Sequence, residues 1–353
     1  MARKEVSREP LEEIGEGFKR FRIVATAVDL RLFTLIDRRS VTVDDVRSLL
    51  KIEERPARIL LDALAAMGIL EVRRGRYRNA PVAREFLVEG RPRFYGDMLR
   101  MLDRRVWDGY RRLEWSLRNN RPAAADPAIG DTFQTMARDP AAVRTFILGM
   151  HSVGAETARR LSERLDLSRQ RHVLDVGGGS GVYSIAFARG NPRLRATVFD
   201  LPHVLKITQE KIDEAGLGRR VGTAAGDFFK DPWPTGADTV FFSSILHDWS
   251  PETNRRLLRK AAKILLPGGL LIVRELFRDD DGPGPLQAAI GSVTMLVETE
   301  GENYSWSTYE TWLREAGFAR FRRIRLGSSR SGSGALLARR LPDSPRSRRA
   351  TTR

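Results

Sequence analysis

The sequence predicts an α/β fold: a doubly wound, mostly parallel sheet preceded by a mostly helical N-terminal domain built on a winged helix. Three observations carry this. From Arg171 onward short apolar strands alternate with helices, a glycine-rich turn (Val173-Leu-Asp-Val-Gly-Gly-Gly-Ser-Gly181) joins the first strand to a helix, and residues 42–79 read helix, helix, hairpin.

In chain order, Leu11, Ile14, Phe18, Phe21, Val24, Val28 and Leu32 recur at threes and fours, a helical stripe between Pro10 and Leu35 that needs a partner surface. Thr42 caps a helix over 43–50, a second helix runs over 55–67 to Gly68, and strands at 69–72 and 77–79 flank a turn at Gly75. Helical periodicity continues through 94–118 and 140–165, broken by the turn-rich 119–127. Strands at 172–176, 196–199, near 221, 239–243 and 270–275 then alternate with a helix from Gly181, one ending at Ala215 and one over 251–265. Such alternation implies parallel β-α-β units with ligands at the carboxyl ends of the strands. The expected domains are 10–120 (helical, winged-helix), 121–170 (a helical connector), 171–340 (the α/β domain) and 341–353, a basic tail that reads as disordered.

The 353 residues carry no cysteine, which excludes disulfides, thiolate metal sites and a cysteine nucleophile and suits a reducing compartment. MARKEVSREP has no apolar signal stretch, and the longest apolar run, near Ile264–Val273, is interrupted by Pro267-Gly268-Gly269. No membrane segment is expected, and a cytoplasmic location is. The net charge of +16 is scattered, which reads as a solvated surface more readily than as a polyanion site.

The glycine turn lets backbone approach a ligand and offers amide hydrogens at a helix N-terminus. Gly177 and Gly179 are followed by Val182 where a dinucleotide fingerprint needs its third glycine, and there is no Walker G-K-[ST]. Asp175 ends the first strand, Asp200 the second, and Gly226-Asp227-Phe228 follows the third. Asp200 can accept the ribose hydroxyls of an adenosine, Asp227 its adenine amino group beside the Phe228 face, and the set suits a sulfonium ligand without phosphates. Taken singly, each acid could instead cap the helix that follows it.

The stretches LDVGGGSG at 174–181, ATVFDLPHV at 196–204, GDFFKDPWP at 226–234, LHDWSPE at 246–252, LLPGGLLIVRE at 265–275 and TMLVETEG at 294–301 resemble, in order and spacing, the plant-type and hydroxyindole-type small-molecule O-methyltransferases. The resemblance covers about residues 15–340. It implies a Rossmann-like methyltransferase sheet, S-adenosylmethionine as cofactor, a small aromatic secondary metabolite as acceptor, and a homodimer through the winged-helix domain. It also implies cofactor contacts from Asp175, Gly177, Gly178, Gly179, Gly181, Asp200, Leu201, Gly226, Asp227, Phe228 and Ser243. Substrate contacts would come from Phe146, Met150, His151, Asp248, Met295 and Trp306, although methionines and aromatics at helical spacing are also what a core contains.

Methyl transfer from a sulfonium needs a positioned nucleophile and, for a phenol with pKa about 10, a base. Of the four histidines, His247 directly follows the strand 239–243 at the ligand end of the sheet. Glu275 ends the neighbouring strand and can orient the imidazole and stabilise its protonated form, and the resemblance gives both residues those roles. Replacing Glu275 by Gln is therefore expected to cost less than losing His247. Two positions depart from the family. Asn303, the third catalytic candidate, stands most nearly where many relatives carry a second carboxylate and as an amide can orient the imidazole without stabilising its charge, and Ser243 and Ser244 stand where a Lys or Arg often precedes the histidine.

Alternatives remain open at this point. Carbon or nitrogen acceptors use the same cofactor pocket. Metal-assisted transfer would need Glu298 or Glu300 beside His247 and Asp248, and no metal is expected. A DNA-binding regulator would use Arg73, Arg74, Arg76 and Arg78 on the hairpin, yet the helix Ile59–Met67 is nearly all apolar, so nucleic acid is an unlikely partner.

Overall fold

The computed structural model describes residues 6–342; the tail expected at 341–353 lies, from 343 onward, outside the described residues. The chain divides into two compact units that meet between Arg105 and Val106.

The first unit contains α1 (Glu9–Asp29), α2 (Leu32–Leu35), α3 (Val43–Leu50), α4 (Glu54–Ala66), the hairpin β1 (Leu70–Arg73) and β2 (Arg76–Asn79), α5 (Pro81–Phe86) and α6 (Gly96–Met101). Thr42 caps α3 in a reciprocal capping box with Asp45, and the antiparallel register sets Leu70 opposite Asn79. Its core joins Val28, Leu32, Phe33 and Ile36 to Leu61 and Leu64 of α4 and to Tyr77 of the wing. The apolar stripe of α1 divides: Val28 enters this core together with Ala27, while Leu11 and Ile14 stay 72% and 75% exposed. On the hairpin, Arg78 pairs with Glu71 and Arg76 donates to the Ser40 carbonyl, so two of the four wing arginines already have partners.

The second unit opens with α7 (Trp107–Tyr110), α8 (Leu113–Asn119), α9 (Thr132–Met136) and the long α10 (Pro140–Arg164). The sequence places 106–120 with the N-terminal domain. Tyr110 instead shares a hydrogen bond with Thr294 Oγ1 at 2.8 Å, and any side chain at Gly109 would strike Val297, so this segment packs into the α/β unit. There follow β3 (His172–Val176), α11 (Val182–Gly190), β4 (Arg195–Asp200), α12 (Pro202–Glu214), β5 (Val221–Ala225), β6 (Thr239–Ser243), α13 (Pro251–Ile264), β7 (Leu270–Leu276), α14 (Leu286–Glu298), α15 (Trp306–Glu315), β8 (Phe318–Arg325) and β9 (Ser333–Arg340). The sheet order is β5-β4-β3-β6-β7-β9-β8, with β3 to β7 parallel and β9 antiparallel to both β7 and β8.

Both faces of the sheet are covered, which is why its strands are near-continuous apolar runs. Leu174, Val240, Phe242 and Leu271 enter one core with α13 and α15, and Val173, Phe241, Ile272 and Phe187 enter the other with α10 and α11. The order of β4, β3 and β6 puts the chain reversal at β3, so the crevice beyond its carboxyl end is where a ligand is expected.

Candidate active site

The turn after β3 takes its shape from two glycines. Gly177 adopts φ +67°, and a side-chain carbon at Gly178 would lie 2.6 Å from the Asp175 carboxyl carbon, so this acid sits directly against the loop. Asp175 Oδ2 accepts from Ser184 Oγ at 2.7 Å, but burial dominates and pushes its carboxyl up to about 7. Asp200 accepts the Gly179 and Leu201 amides at 2.8 and 2.7 Å, and burial raises it to about 6. Asp227 accepts the Phe229 amide at 2.8 Å. The loop amides are less free than the sequence implies: Gly177 donates to Phe199 O, Gly179 to Asp200 and Gly181 to Gly178 O. The acids carry the recognition potential here, since each carboxylate oxygen has a further lone pair.

One mostly apolar-walled cavity brings together Asp175, Gly177, Gly178, Gly179, Asp200, Leu201, Asp227, Phe228 and Ser243 with Phe146, Met150 and Asp248. Its aromatic wall is larger than the sequence suggests. Phe229 packs edge-on to Trp249 at 4.7 Å, and Phe133 lies 5.9 Å from Trp249 and 6.0 Å from Phe146.

Beside the cavity, His247 occupies a short 3-10 turn after β6. Glu275, fully buried at the end of β7, binds the Ile245 and Leu246 amides through Oε1, both at 3.1 Å, and meets His247 Nδ1 through Oε2 at 2.6 Å. His247 Nε2 lies 3.6 Å from Asp248 Oδ1, and Asp248 lines the cavity. Burial opposes the imidazolium, but Glu275 and Asp248 outweigh it and lift the imidazole to about 9. The chain thus holds a base with one fixed nitrogen and one nitrogen directed to an acid of the cavity wall.

Several expected contacts are corrected. Gly181 caps α11 against Val198 and Thr208, and Gly226 abuts Phe199; neither lines the cavity. His151 turns to Ser180 Oγ at 2.9 Å behind the glycine loop, where burial lowers its pKa to about 4. Trp306 is a core residue stacked on Phe277 at 3.6 Å, and Met295 stays on α14 with its sulfur near Thr299. Asn303 gives its amide to Ala288 O at 3.1 Å and makes no hydrogen bond to His247. An acid at position 303 would therefore meet the α14 backbone first. Phe133, Phe229, Trp249, Tyr183 and Arg274 line the cavity without having been singled out in the sequence. Arg274 had a signal, a cation directly after the apolar run Leu270–Val273 and next to Glu275, and Trp249 sits in the His247 motif itself.

The family model of the O-methyltransferase domain matches residues 110–319, and that of the O-methyltransferase dimerisation domain matches residues 13–89. A 3-hydroxy-5-methyl-1-naphthoate 3-O-methyltransferase of Streptomyces sahachiroi is 38% identical over 90% of this chain and 91% of its own. An L-tyrosine C(3)-methyltransferase of Streptomyces lavendulae is 35% identical over 86% and 84%. Human N-acetylserotonin methyltransferase, solved in complex with SAM, superposes with TM-score 0.88 at 26% identity, covering 97% of this chain and 100% of that one. Acid-lined crevice, buried His–Glu pair and matches across both units agree: the chain belongs to the S-adenosylmethionine-dependent O-methyltransferase family.

Proposed function

We propose that this chain moves a methyl group from S-adenosylmethionine to a hydroxyl of a small aromatic acceptor, with His247 as general base. The observation that carries the reading is the His247–Glu275 pair, whose carboxylate is pinned by two backbone amides and so cannot turn away from the imidazole.

The residues present fit the cofactor. Open space lies where a side chain at Gly179 would stand, its nearest contact being Ile147 at 3.8 Å, and the acids of the crevice favour a cationic ligand bearing hydroxyls. Asp200 and Leu201 would hold the ribose, Asp227 and Phe228 the adenine, and Asp175 would support the turn. When bound, the cofactor supplies a methyl group already activated on a sulfonium.

Everything else is positioning and proton transfer by the chain. The aromatic wall of Phe133, Phe146 and Trp249 suits a flat acceptor, whose hydroxyl would approach His247 Nε2 beside Asp248. With Nδ1–H donated to Glu275, Nε2 keeps its lone pair for the acceptor's proton, and Glu275 and Asp248 stabilise the imidazolium that results. His247→Ala should lower kcat by about 10²–10⁴-fold and leave calorimetric affinity for S-adenosylhomocysteine nearly unchanged. Retention of more than about a third of kcat, with chemistry rate-limiting, would remove the base from the mechanism.

A second reading is carbon methylation, favoured by the likeness to a tyrosine C(3)-methyltransferase. A phenolate is also nucleophilic at its ortho carbon, so the same base serves both, and NMR of the product locates the methyl group.

The dimerisation-domain match and the exposed Leu11 and Ile14 support a homodimer through the N-terminal unit. We take 121–170 as the connector that contributes the α9 and α10 wall to the acceptor site. Among the described residues no helix is long and apolar enough to cross a membrane, and a cytoplasmic location is part of this proposal.

A further inference from the structure

The cavity contains a cation with which no acid among the described residues forms an ion pair. Arg274, next to Glu275 on β7, lines it together with Tyr183, Ser243 and Ser244. Nη1 donates to Ser244 Oγ at 2.9 Å and Nη2 to Ser333 Oγ at 3.3 Å, both neutral acceptors, and Nε is buried without a partner. Among the described residues Arg274 makes no ion pair. Its guanidinium stands 6.0 Å from the centroid of the Tyr183 ring. Tyr183 is only 6% exposed, and its hydroxyl, near Ser243, completes no hydrogen bond either.

Two buried donors on one cavity wall, one of them charged, call for an anionic acceptor. A guanidinium fork matches a carboxylate, which has oxygens enough for Tyr183 as well and accepts more strongly than the serine hydroxyls it would displace. Asp175, Asp200 and Asp248 line the same cavity and would repel a ligand of higher negative charge. We propose that Arg274 and Tyr183 form a carboxylate-binding subsite. The strand order places β7 across β3 from the Asp200 strand, so the subsite lies at the end of the crevice opposite the ribose acid. On the reading that the cofactor lies over the glycine turn, which this inference rests on, the carboxylate is that of its amino-acid end. A carboxylate on the aromatic acceptor is the other source of the same chemistry.

The test is calorimetry on the full chain with S-adenosylhomocysteine and with 5′-methylthioadenosine, which lacks the carboxylate. Arg274→Met should weaken the first by about 10–100-fold and the second by less than about threefold, the usual size of a charge-assisted contact. Arg274→Lys should keep part of the affinity, and Tyr183→Phe should lose about 3–10-fold selectively for S-adenosylhomocysteine; these two variants decide the matter should Arg274→Met fold poorly by circular dichroism. The second arm titrates a hydroxynaphthoate and the matching naphthol into wild-type and variant protein. Unchanged S-adenosylhomocysteine binding with a selective loss of the hydroxynaphthoate moves the subsite to the acceptor. No carboxylate-selective loss in either arm overturns it. Wild-type protein that binds neither adenosyl compound overturns the proposed function instead, and the aromatic arm then judges the subsite alone.

Discussion

Replacing Glu275 by Gln tests whether a single tautomer of His247 supports the reaction. Glu275 accepts on both oxygens: Oε1 from the Ile245 and Leu246 amides, Oε2 from His247 Nδ1. A glutamine has only one oxygen to offer. If that oxygen faces Nδ1, its NH₂ group points at two buried amide donors, leaving each unpaired at about 1–3 kcal/mol. If it faces the amides, all three contacts survive, but the NH₂ now donates to Nδ1. The second arrangement wins, and it forces the proton onto Nε2, the nitrogen that should receive the acceptor's proton. The expected loss in kcat is about 10³–10⁴-fold, the scale known when the orienting carboxylate of a serine-type triad becomes its amide and installs the wrong tautomer. The loss should thus rival that of His247→Ala rather than fall below it, contrary to what charge loss alone implies. The assay is single-turnover kinetics with calorimetry of S-adenosylhomocysteine as control, and ¹⁵N chemical shifts of the imidazole report the tautomer. A variant within about tenfold of wild type, or one whose imidazole keeps Nδ1–H, refutes the argument.

Three further outcomes follow from the same structure. Because only neutral His247 can take a proton, and its pKa is lifted to about 9, the log of kcat should rise with pH through the neutral range and level off near 9, whereas a limb at the ordinary 6.5 would show that the two acids do not act on it. Asp175, Asp200 and His247 all bind protons more tightly folded than unfolded, so ligand-free stability is greatest at the acid side of their range and is lost as pH rises through about 6, 7 and 9; scanning calorimetry should show Tm falling between pH 6 and 9, and a Tm rising over that span would contradict the burial of the two aspartates and the pull of Glu275 and Asp248 on His247. Leu11→Glu with Ile14→Glu should convert a dimer to monomer by light scattering at micromolar concentration with the α/β unit still folded, and an unchanged mass would place the interface elsewhere.

The elements most legible in the sequence are those fixed by local chemistry. Thr42 and Asp45 announce the start of α3, Gly75 the wing turn, and the run from Leu174 to Gly181 the strand, loop and helix that shape the crevice. The acids were readable because each stands at or just past a strand end, and strand ends are where a parallel sheet binds ligands. What stayed hidden depends on side-chain direction. His151 and Phe146 share α10, yet one turns behind the glycine loop and the other into the cavity. Trp306 and Trp249 are both buried, and only the neighbours Phe277 and Phe229 separate core from wall. The antiparallel pair β8 and β9 was missed because Phe-Ala-Arg-Phe-Arg-Arg-Ile-Arg is a charged edge strand, whose arginines serve its exposed side.

A base held near pKa 9 looks at first like a poor choice for work at neutral pH, since roughly 1% of it is neutral at pH 7. The acceptor changes the balance. A phenol loses its proton near pKa 10, so a base of about 6.5 would face an uphill transfer of several units, whereas His247 as its two acids hold it makes the transfer nearly even. Glu275 and Asp248 therefore trade population of the active form for strength of the base.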